Sequence, residues 1–101
     1  MAAEEKDKEK ELEELLAEFK SRMKIFNSIE DDTLKRSLSA SKMAIKRMTG
    51  SDDLKNEEVK ELVIERARYA YNDSLEFFED NFQSMILGVS LEVPYDQESE
   101  I

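Results

Sequence analysis

Apolar residues recur at helical spacing near the start of the chain. Between residues 11 and 26 they fall on one stripe, made by Leu12, Leu15, Leu16, Phe19, Met23 and Phe26. Such spacing is typical of one face of an amphipathic helix, and it predicts a first helix that ends at about Ile25. Residues 1 to 10 precede this stripe, and EEKDKEKE, residues 4–11, has no apolar side chain. We expect residues 1 to 10 to be a charged leader that frays at the end of the helix.

A second helix is marked at both ends. Acidic residues 30 to 32 suit the positive end of a helix dipole and predict a start near Thr33. Gly50 stands where a left-handed residue closes many helices, behind basic residues at 46 and 47. The predicted inner face consists of Leu34, Leu38, Ser41, Ile45 and Met48, widened by Ala44.

A third helix is predicted after a short polar connection. Asn56 can cap it, and Glu57 and Glu58 supply a negative first turn. A broad apolar face then continues through Val59, Leu62, Val63, Ala67, Ala70, Ser74, Phe77 and Phe78. The continuous face predicts a helix that reaches Asp80.

The pattern changes period beyond residue 86. Leu87, Val89, Leu91 and Val93 alternate with small or polar residues, and Pro94 follows. One interpretation is a short helix over residues 82–87 with an extended arm behind it. The other is a helix throughout, in which the alternation is accidental. We favour the arm and assign residues 86–101 to it, ending in an acidic tail, with residues 11–85 as the helical domain.

Composition supports a small all-α protein. The chain has 101 residues, 40% of them hydrophobic, with only 2 Gly and 1 Pro, which disfavours turn-rich β folds and allows one core. The predicted fold class is therefore a helical bundle of three to four helices, with a charged N-terminal helix extension and an extended C-terminal arm. No apolar run approaches the length of a bilayer span, so we expect a soluble protein without a signal peptide and with no membrane partner.

The residue types offer little catalytic chemistry. The chain has no Cys and no His, which excludes disulfides, thiolate zinc sites and imidazole catalysis. Asp73, Glu76 and Asp80 would share a helical face, but carboxylate metal sites in bundles usually add His ligands. We therefore predict no catalytic, cofactor or metal site, and a protein that is not an enzyme.

Charge is distributed in blocks along the chain. Residues 1–20 have 8 acids and 4 bases, residues 21–50 have 3 and 7, and residues 51–101 have 14 and 4, for a net charge of −10. This balance disfavours general DNA binding. The basic block is consistent either with neutralisation between packed helices or with contacts between identical subunits.

Two sets of residues are candidates for such subunit contacts. One is the basic stripe of the second helix, which is equally well explained as a solvated face. The other is the crowded aromatic end of the third helix, since Phe77 and Phe78 cannot both point into one small core. We assign the subunit contact to Lys35, Lys42, Lys46, Phe78 and Phe82.

Two segments resemble a known family. ERARYAYNDSLEFFEDNFQS, residues 65–84, resembles the third helix of the head-tail connector proteins (adaptor or head completion proteins) of long-tailed phages that infect Gram-positive bacteria. KIFNSIEDDTLKRSLSASKMAIKRMTG, residues 24–50, is similar to that family's usual opening. The resemblance covers roughly residues 20–91, while the charged leader and Met85 depart from the family pattern.

The resemblance implies a virion structural protein. Such proteins are small helical bundles that assemble in the host cytoplasm, bind the portal protein at the capsid vertex and form a ring, usually a dodecamer. The ring prolongs the DNA channel without specific nucleic-acid binding and provides a platform for the next head-tail joining or tail protein. The residues that match the family's aromatic helix are Tyr69, Tyr71, Asn72, Phe77, Phe78 and Phe82.

The family's C-terminal arm corresponds to residues 86–93 of this chain. The resemblance therefore implies portal contacts by Ile86, Leu87, Val89, Leu91 and Val93. An alternative function from another class stays open: a small acidic helical inhibitor, or DNA mimic, that binds a basic cleft of a host enzyme.

Overall fold

The structure, a computed structural model, describes residues 2–93, and side chains from residue 5 onward. This part of the chain is helical and contains no strand. Its elements are α1 (Ala2–Met23), α2 (Asp31–Thr49), α3 (Glu57–Tyr71), a 3₁₀ turn (Leu75–Phe77), α4 (Phe78–Asn81) and α5 (Gln83–Glu92). The predicted all-α class is confirmed.

Helices α1, α2, α3 and α5 alternate in direction. The end of α1 meets the start of α2 through an ion pair between Lys20 and Asp31, 2.7 Å long. The end of α5 returns to the end of α2, where Val93 lies against Gly50. Helices α2 and α3 form the central pair, and both α1 and α5 contact the two of them. The result is a flat bundle with extents of 48 × 38 × 18 Å.

The core lies between α2 and α3 and extends to one face of each outer helix. Its buried members come from every long helix: Leu15, Leu16, Phe19, Leu34, Leu38, Ile45, Val59, Leu62, Val63, Ile64, Ala67, Phe78 and Val89. The predicted inner face of the second helix is confirmed, since Leu34, Leu38, Ser41 and Ile45 are all buried.

The predicted C-cap of α2 and N-cap of α3 are also confirmed. Gly50 has φ +89°, and its N–H donates to the carbonyl of Lys46 at 2.8 Å. The side chain of Asn56 accepts hydrogen bonds from the backbone N–H groups of Glu58 and Val59. Each cap satisfies backbone groups that a helix end leaves without partners. Helix α2 begins at Asp31, two residues before the predicted start at Thr33, and its N-cap residue Glu30 makes no side-chain cap hydrogen bond.

Helix α1 begins at Ala2, so it includes residues 2–10, the predicted charged leader. The fraying of this leader stays a prediction, whereas the predicted end of the helix at about Ile25 is two residues late. The helix ends at Met23 because Lys24 turns left-handed, with φ 59°. The N–H of Ile25 then donates to the carbonyl of Lys20 at 2.9 Å, the long-range bond of a Schellman cap.

Helix α3 ends at Tyr71, not at Asp80 as predicted. Asp73 adopts φ 57°, and the N–H of Ser74 donates to the carbonyl of Tyr69 at 2.8 Å. This is a second Schellman cap, at a position where Asn and Asp are the non-glycine residues that best tolerate left-handed backbone. The chain reverses there, so the aromatic residues beyond it fold back onto α3.

An aromatic cluster holds this reversed segment in place. Phe78 lies 5.0 Å from Phe82 and 5.7 Å from Tyr69, between ring centroids, and Tyr69 is also 5.7 Å from Phe82. The amide of Asn81 donates to the hydroxyl of Tyr69 at 2.9 Å. The cluster fixes the direction in which α5 leaves α3.

The predicted extended arm is wrong for residues 86–92, which belong to helix α5. Phe82, Met85, Ile86 and Val89 repeat at helical spacing and face the core. A helix satisfies its backbone hydrogen bonds internally, whereas an extended arm here would lack a strand partner. Helix α5 ends before Val93, whose position ahead of Pro94 disfavours helical backbone. Residues 94–101, the rest of the arm, lie outside the described residues.

Glu65 joins α1 to α3 in a network that the sequence analysis did not identify. Its carboxylate accepts hydrogen bonds from Arg68 at 2.7 and 3.0 Å and from Arg22 at 3.1 Å. Burial alone would raise the pKa of Glu65, but the two arginines outweigh burial and lower it. Arg22 also pairs with Glu61 at 3.0 Å.

The Schellman cap at Asp73 makes a prediction about substitutions there. Asp73→Gly should keep the free energy of unfolding or raise it slightly, whereas Asp73→Val should lower it by about 1–2 kcal/mol, because β-branched residues strain left-handed backbone. Chemical denaturation of the two variants measures the difference. A continuous helix would reverse the order, since glycine costs about 1 kcal/mol in a helix interior.

The lowered pKa of Glu65 predicts a pH-dependent contribution to stability. A lowered folded-state pKa stabilises the protein above the unfolded-state value of about 4.3 and loses that effect as the pH falls through the folded-state value. Glu65→Gln should therefore lower the free energy of unfolding by about 1–3 kcal/mol at pH 7. The difference in free energy of unfolding between this variant and the unsubstituted protein should become smaller below about pH 4. A gap of constant size between pH 7 and pH 3 would contradict the proposed ionic role.

Candidate interaction surfaces

The three lysines predicted to contact another subunit are all paired within the chain. Lys35 lies 2.8 Å from Glu13, and Lys42 lies 2.8 Å from Glu11. Lys46 is 4.0 Å from Asp52. Two of these pairs join α2 to α1. The fold therefore contains charge neutralisation between packed helices, which was one of the two interpretations of the charge blocks. A subunit contact by the same lysines stays a prediction.

The two phenylalanines assigned to that contact belong to the aromatic cluster. Phe78 is only 1% exposed and lies in the core, so its assignment to a subunit contact is wrong for this fold. Phe82 is partly buried against the core. Phe77, which precedes Phe78 in the sequence, is exposed. The chain reversal at Asp73 turns these two neighbouring residues so that Phe78 points inward and Phe77 points outward.

Helix α5 has an uncharged outer face. Its residues from Gln83 to Leu91 include no ionisable side chain, and Leu87 and Leu91, one helical turn apart, are 57% and 77% exposed. Gly88 lies between them, with open space where a side chain would project. Gln83, Ser84 and Ser90 are the polar residues of this segment, so its exposed surface is uncharged and contains two large apolar side chains. Of the five predicted arm residues, only Leu87 and Leu91 are exposed; Val89 is buried, and Ile86 and Val93 are partly buried.

A second apolar surface was not identified from the sequence. Phe26 and Ile29, on the connection between α1 and α2, are 89% and 88% exposed. We name these two side chains the apolar knob. The sequence contains one indication of this surface, because Ile29 is an apolar residue within a polar segment. The helical spacing of Phe26, however, led to the assignment of Phe26 to the inner face of the first helix. The Schellman cap at Lys24 removes it from that face.

The connection that bears the apolar knob is held by defined contacts. The side chain of Asn27 accepts the N–H of Ile29 at 3.1 Å, and the hydroxyl of Tyr71 donates to Glu30 at 2.9 Å. This hydrogen bond to Glu30 raises the pKa of Tyr71. The knob is therefore presented by an ordered turn.

A groove lies at the other end of the α1–α2 pair. Its volume is about 350 Å³, and Leu12 and Met43 contribute its apolar lining. We name it the Leu12–Met43 groove. Lys8 and Lys42 stand on its rim, together with Glu9 and Asp52. Met43 is 69% exposed, on a helix whose other large apolar residues are buried or partly buried.

Three arginines with shifted pKa values form hydrogen bonds to other side chains of the same molecule. The pKa values of Arg22 and Arg68 are raised by hydrogen bonds to Glu61 and Glu65 respectively. Burial, followed by the nearby Arg47, lowers the pKa of Arg66, which donates to the hydroxyl of Ser41 at 3.2 Å. Among the described residues, no group of three or more acidic side chains is arranged to hold a metal ion. Nor does any helix in that range have the length and apolar character that crossing a membrane requires.

Comparisons with protein-family models, with curated proteins and with solved structures gave no match to this chain. The arguments for function therefore rest on the residues and on their arrangement.

The pairing of Lys42 with Glu11 predicts the outcome of a charge exchange. Lys42→Glu alone should lower the free energy of unfolding by up to about 1 kcal/mol, because it places like charges together. Adding Glu11→Lys should restore most of the loss at low ionic strength, as measured by thermal and denaturant unfolding. If the double variant is no more stable than the single one, the intrachain pair contributes nothing measurable.

Proposed function

We propose that this protein is a non-enzymatic assembly protein that docks on another protein through the outer face of α5. Supporting this is the exposure of Leu87 and Leu91 on a helix segment without charge. Burying one leucine side chain on association contributes about 1.5–3 kcal/mol. Contiguous exposed apolar residues on a helix mark interaction sites.

Within that class, we propose a phage head-tail connector that binds the portal protein and forms a ring around the DNA channel in the virion. The resemblance of residues 24–50 and 65–84 supports this assignment, and α5 replaces the extended arm as the portal-binding element. Recognition would then be that of a helix laid into an apolar groove, with Leu87 and Leu91 as anchors at i and i+4. Many copies in a ring would strengthen a modest contact by multivalency.

The charge arrangement favours this proposal over the DNA-mimic alternative. Glu11, Glu13 and Glu18 of α1 each pair with a lysine of α2 or α3, so these three carboxylates are engaged within the fold and are not free for the contacts that a DNA mimic makes. The net charge of −10 suits a channel wall, because a wall that attracted phosphate would hold the DNA.

Substitution of the outer face of α5 tests the proposed docking. Leu87→Ser together with Leu91→Ser should weaken binding to purified portal rings of a long-tailed phage of Gram-positive bacteria by at least about tenfold. Sedimentation of the portal rings with labelled protein measures the affinity, and electron microscopy shows where the protein binds. Phe77→Ser removes a similarly exposed ring from another element and serves as the matched control, with no expected effect.

Two results would contradict the proposal. One is that the unsubstituted protein does not bind such portal rings. The other is that the two α5 substitutions and the Phe77 control weaken binding equally. Competition with DNA for a nucleic-acid enzyme would instead favour the alternative function.

A further inference from the structure

Helix α2 bears two exposed arginines on its outer face. Arg36, Ala40, Met43 and Arg47 are all exposed, and their spacings of four, three and four residues place them on one side of the helix. We name these four residues the arginine stripe. Each lysine of α2 has an acidic partner, whereas neither arginine forms an ion pair with any residue that the structure describes.

A third arginine contacts α2 from α3. Arg66 is partly buried, donates to the hydroxyl of Ser41 at 3.2 Å, and has no ion pair within residues 2–93. Burial and the nearby Arg47 lower the pKa of Arg66 by more than Glu79 raises it. A positive charge that is partly removed from water without a carboxylate is unfavourable, and a partner that supplies carboxylates would relieve it.

The acids near the arginine stripe do not neutralise it. The acids of α2 are Asp31 and Asp32, both in its first turn. Asp31 pairs with Lys20, and Asp32 is one of the charges that raise the pKa of Lys35. The groove beside Met43 is lined by two acids and two lysines, so the charges there balance. The arginines therefore add positive charge to the outer face of α2, in a protein whose net charge is −10.

The opposite charge is concentrated after α3. Residues 69–93 contain five acids and no Lys or Arg, and none of these five acids forms an ion pair within the described part of the chain. Asp73, Glu76 and Asp80 are exposed, at the end of α3, on the 3₁₀ turn and on α4. We name these three residues the acidic turn. Glu79 is left out because it acts on Arg66 of its own chain.

We propose that the arginine stripe of one molecule binds the acidic turn of a second copy of this chain. Arginine suits this contact, because its guanidinium can donate two parallel hydrogen bonds to one carboxylate. Surfaces of opposite charge also favour this pairing over contacts between like surfaces. Two different surfaces meet, so the contact can be repeated from copy to copy. It goes beyond the portal docking proposed above, since it assigns the surface between copies and requires no portal.

A nucleic acid is a less suitable occupant of the arginine stripe. Its phosphates continue far beyond a stripe that one helix provides, and they would meet the acidic remainder of the surface. A second copy brings a limited number of carboxylates, on an exposed turn that has no base in its own segment.

Charge exchange tests the contact. One variant carries Arg36→Glu and Arg47→Glu, and the other carries Glu76→Lys and Asp80→Lys. Alone, each variant brings like charges together at the contact, whereas an equimolar mixture restores opposite charges at every pairing of stripe and turn. Circular dichroism first checks that both variants fold. Sedimentation velocity up to millimolar concentration at low ionic strength then measures association.

The unsubstituted protein should self-associate, and added salt should weaken this association. Each variant alone should associate at least about tenfold more weakly, and the mixture should regain most of the loss. The reversals in the acidic turn reduce the net negative charge by four units, so general repulsion between copies would predict stronger association instead. Because no portal is present, the outcome does not depend on the proposed portal binding.

The matched control is Lys10→Glu together with Lys55→Glu. Both lysines are exposed and form no ion pair with a described residue. This control changes the net charge as much as the two arginine reversals do. It should therefore associate far more strongly than the arginine variant, and equal losses in the two would contradict the inference.

Three further results would overturn the inference. One is a mixture of the two variants that associates no better than either variant alone. Another is association that appears only after removal of residues 94–101, which would identify the chain's own C-terminal segment as the occupant of the stripe. The third is an unsubstituted protein that stays monomeric, and binding of a labelled DNA duplex that the arginine variant lost would then identify phosphate as the occupant.

Discussion

The antiparallel packing of α2 against α3 is the contact on which the other elements depend. Leu38 and Ile45 from one helix, and Leu62 and Val63 from the other, are fully buried between them. The connection from Gly50 to Asn56 is so short that the two helices must run in opposite directions. Once they are paired, each side of the pair offers an apolar strip, which α1 and α5 cover.

The two outer helices are held by different physical means. Helix α1 combines an apolar stripe with ion pairs to both central helices, including the buried carboxylate of Glu65. Helix α5 has no such pairs over its uncharged length and depends on Val89 and the aromatic cluster at Tyr69. Glu11, Glu13, Glu18, Lys20 and Arg22 of α1 are thus all paired within the molecule. Exposed apolar side chains lie instead on α5, at the apolar knob and at Met43 beside the Leu12–Met43 groove.

Residues 82–93 explain why periodicity misled the prediction there. Phe82, Met85, Ile86 and Val89 follow a helical period, while Leu87, Val89, Leu91 and Val93 follow a period of two in the same stretch. A short apolar segment contains both patterns, so neither decides between helix and strand. The decision comes from the bundle, which provides an apolar strip for a helix and no strand edge among residues 2–93.

The sequence by itself determined the fold class, the inner face of α2, the part of the inner face of α3 from Val59 to Ala67 apart from Ile64 and Glu65, and the caps at Gly50 and Asn56, because these depend on spacing and on local backbone chemistry. It did not determine where α1 and α3 end, since left-handed turns at Lys24 and Asp73 are not residue-specific signals as a glycine is. Nor could it show which of Phe77 and Phe78 is buried, because that depends on the chain reversal. The exposure of Phe26, the pairing of Glu65 with Arg22 across 43 residues, and the groove beside Met43 were decided only by tertiary structure, which brings together residues that no local pattern connects.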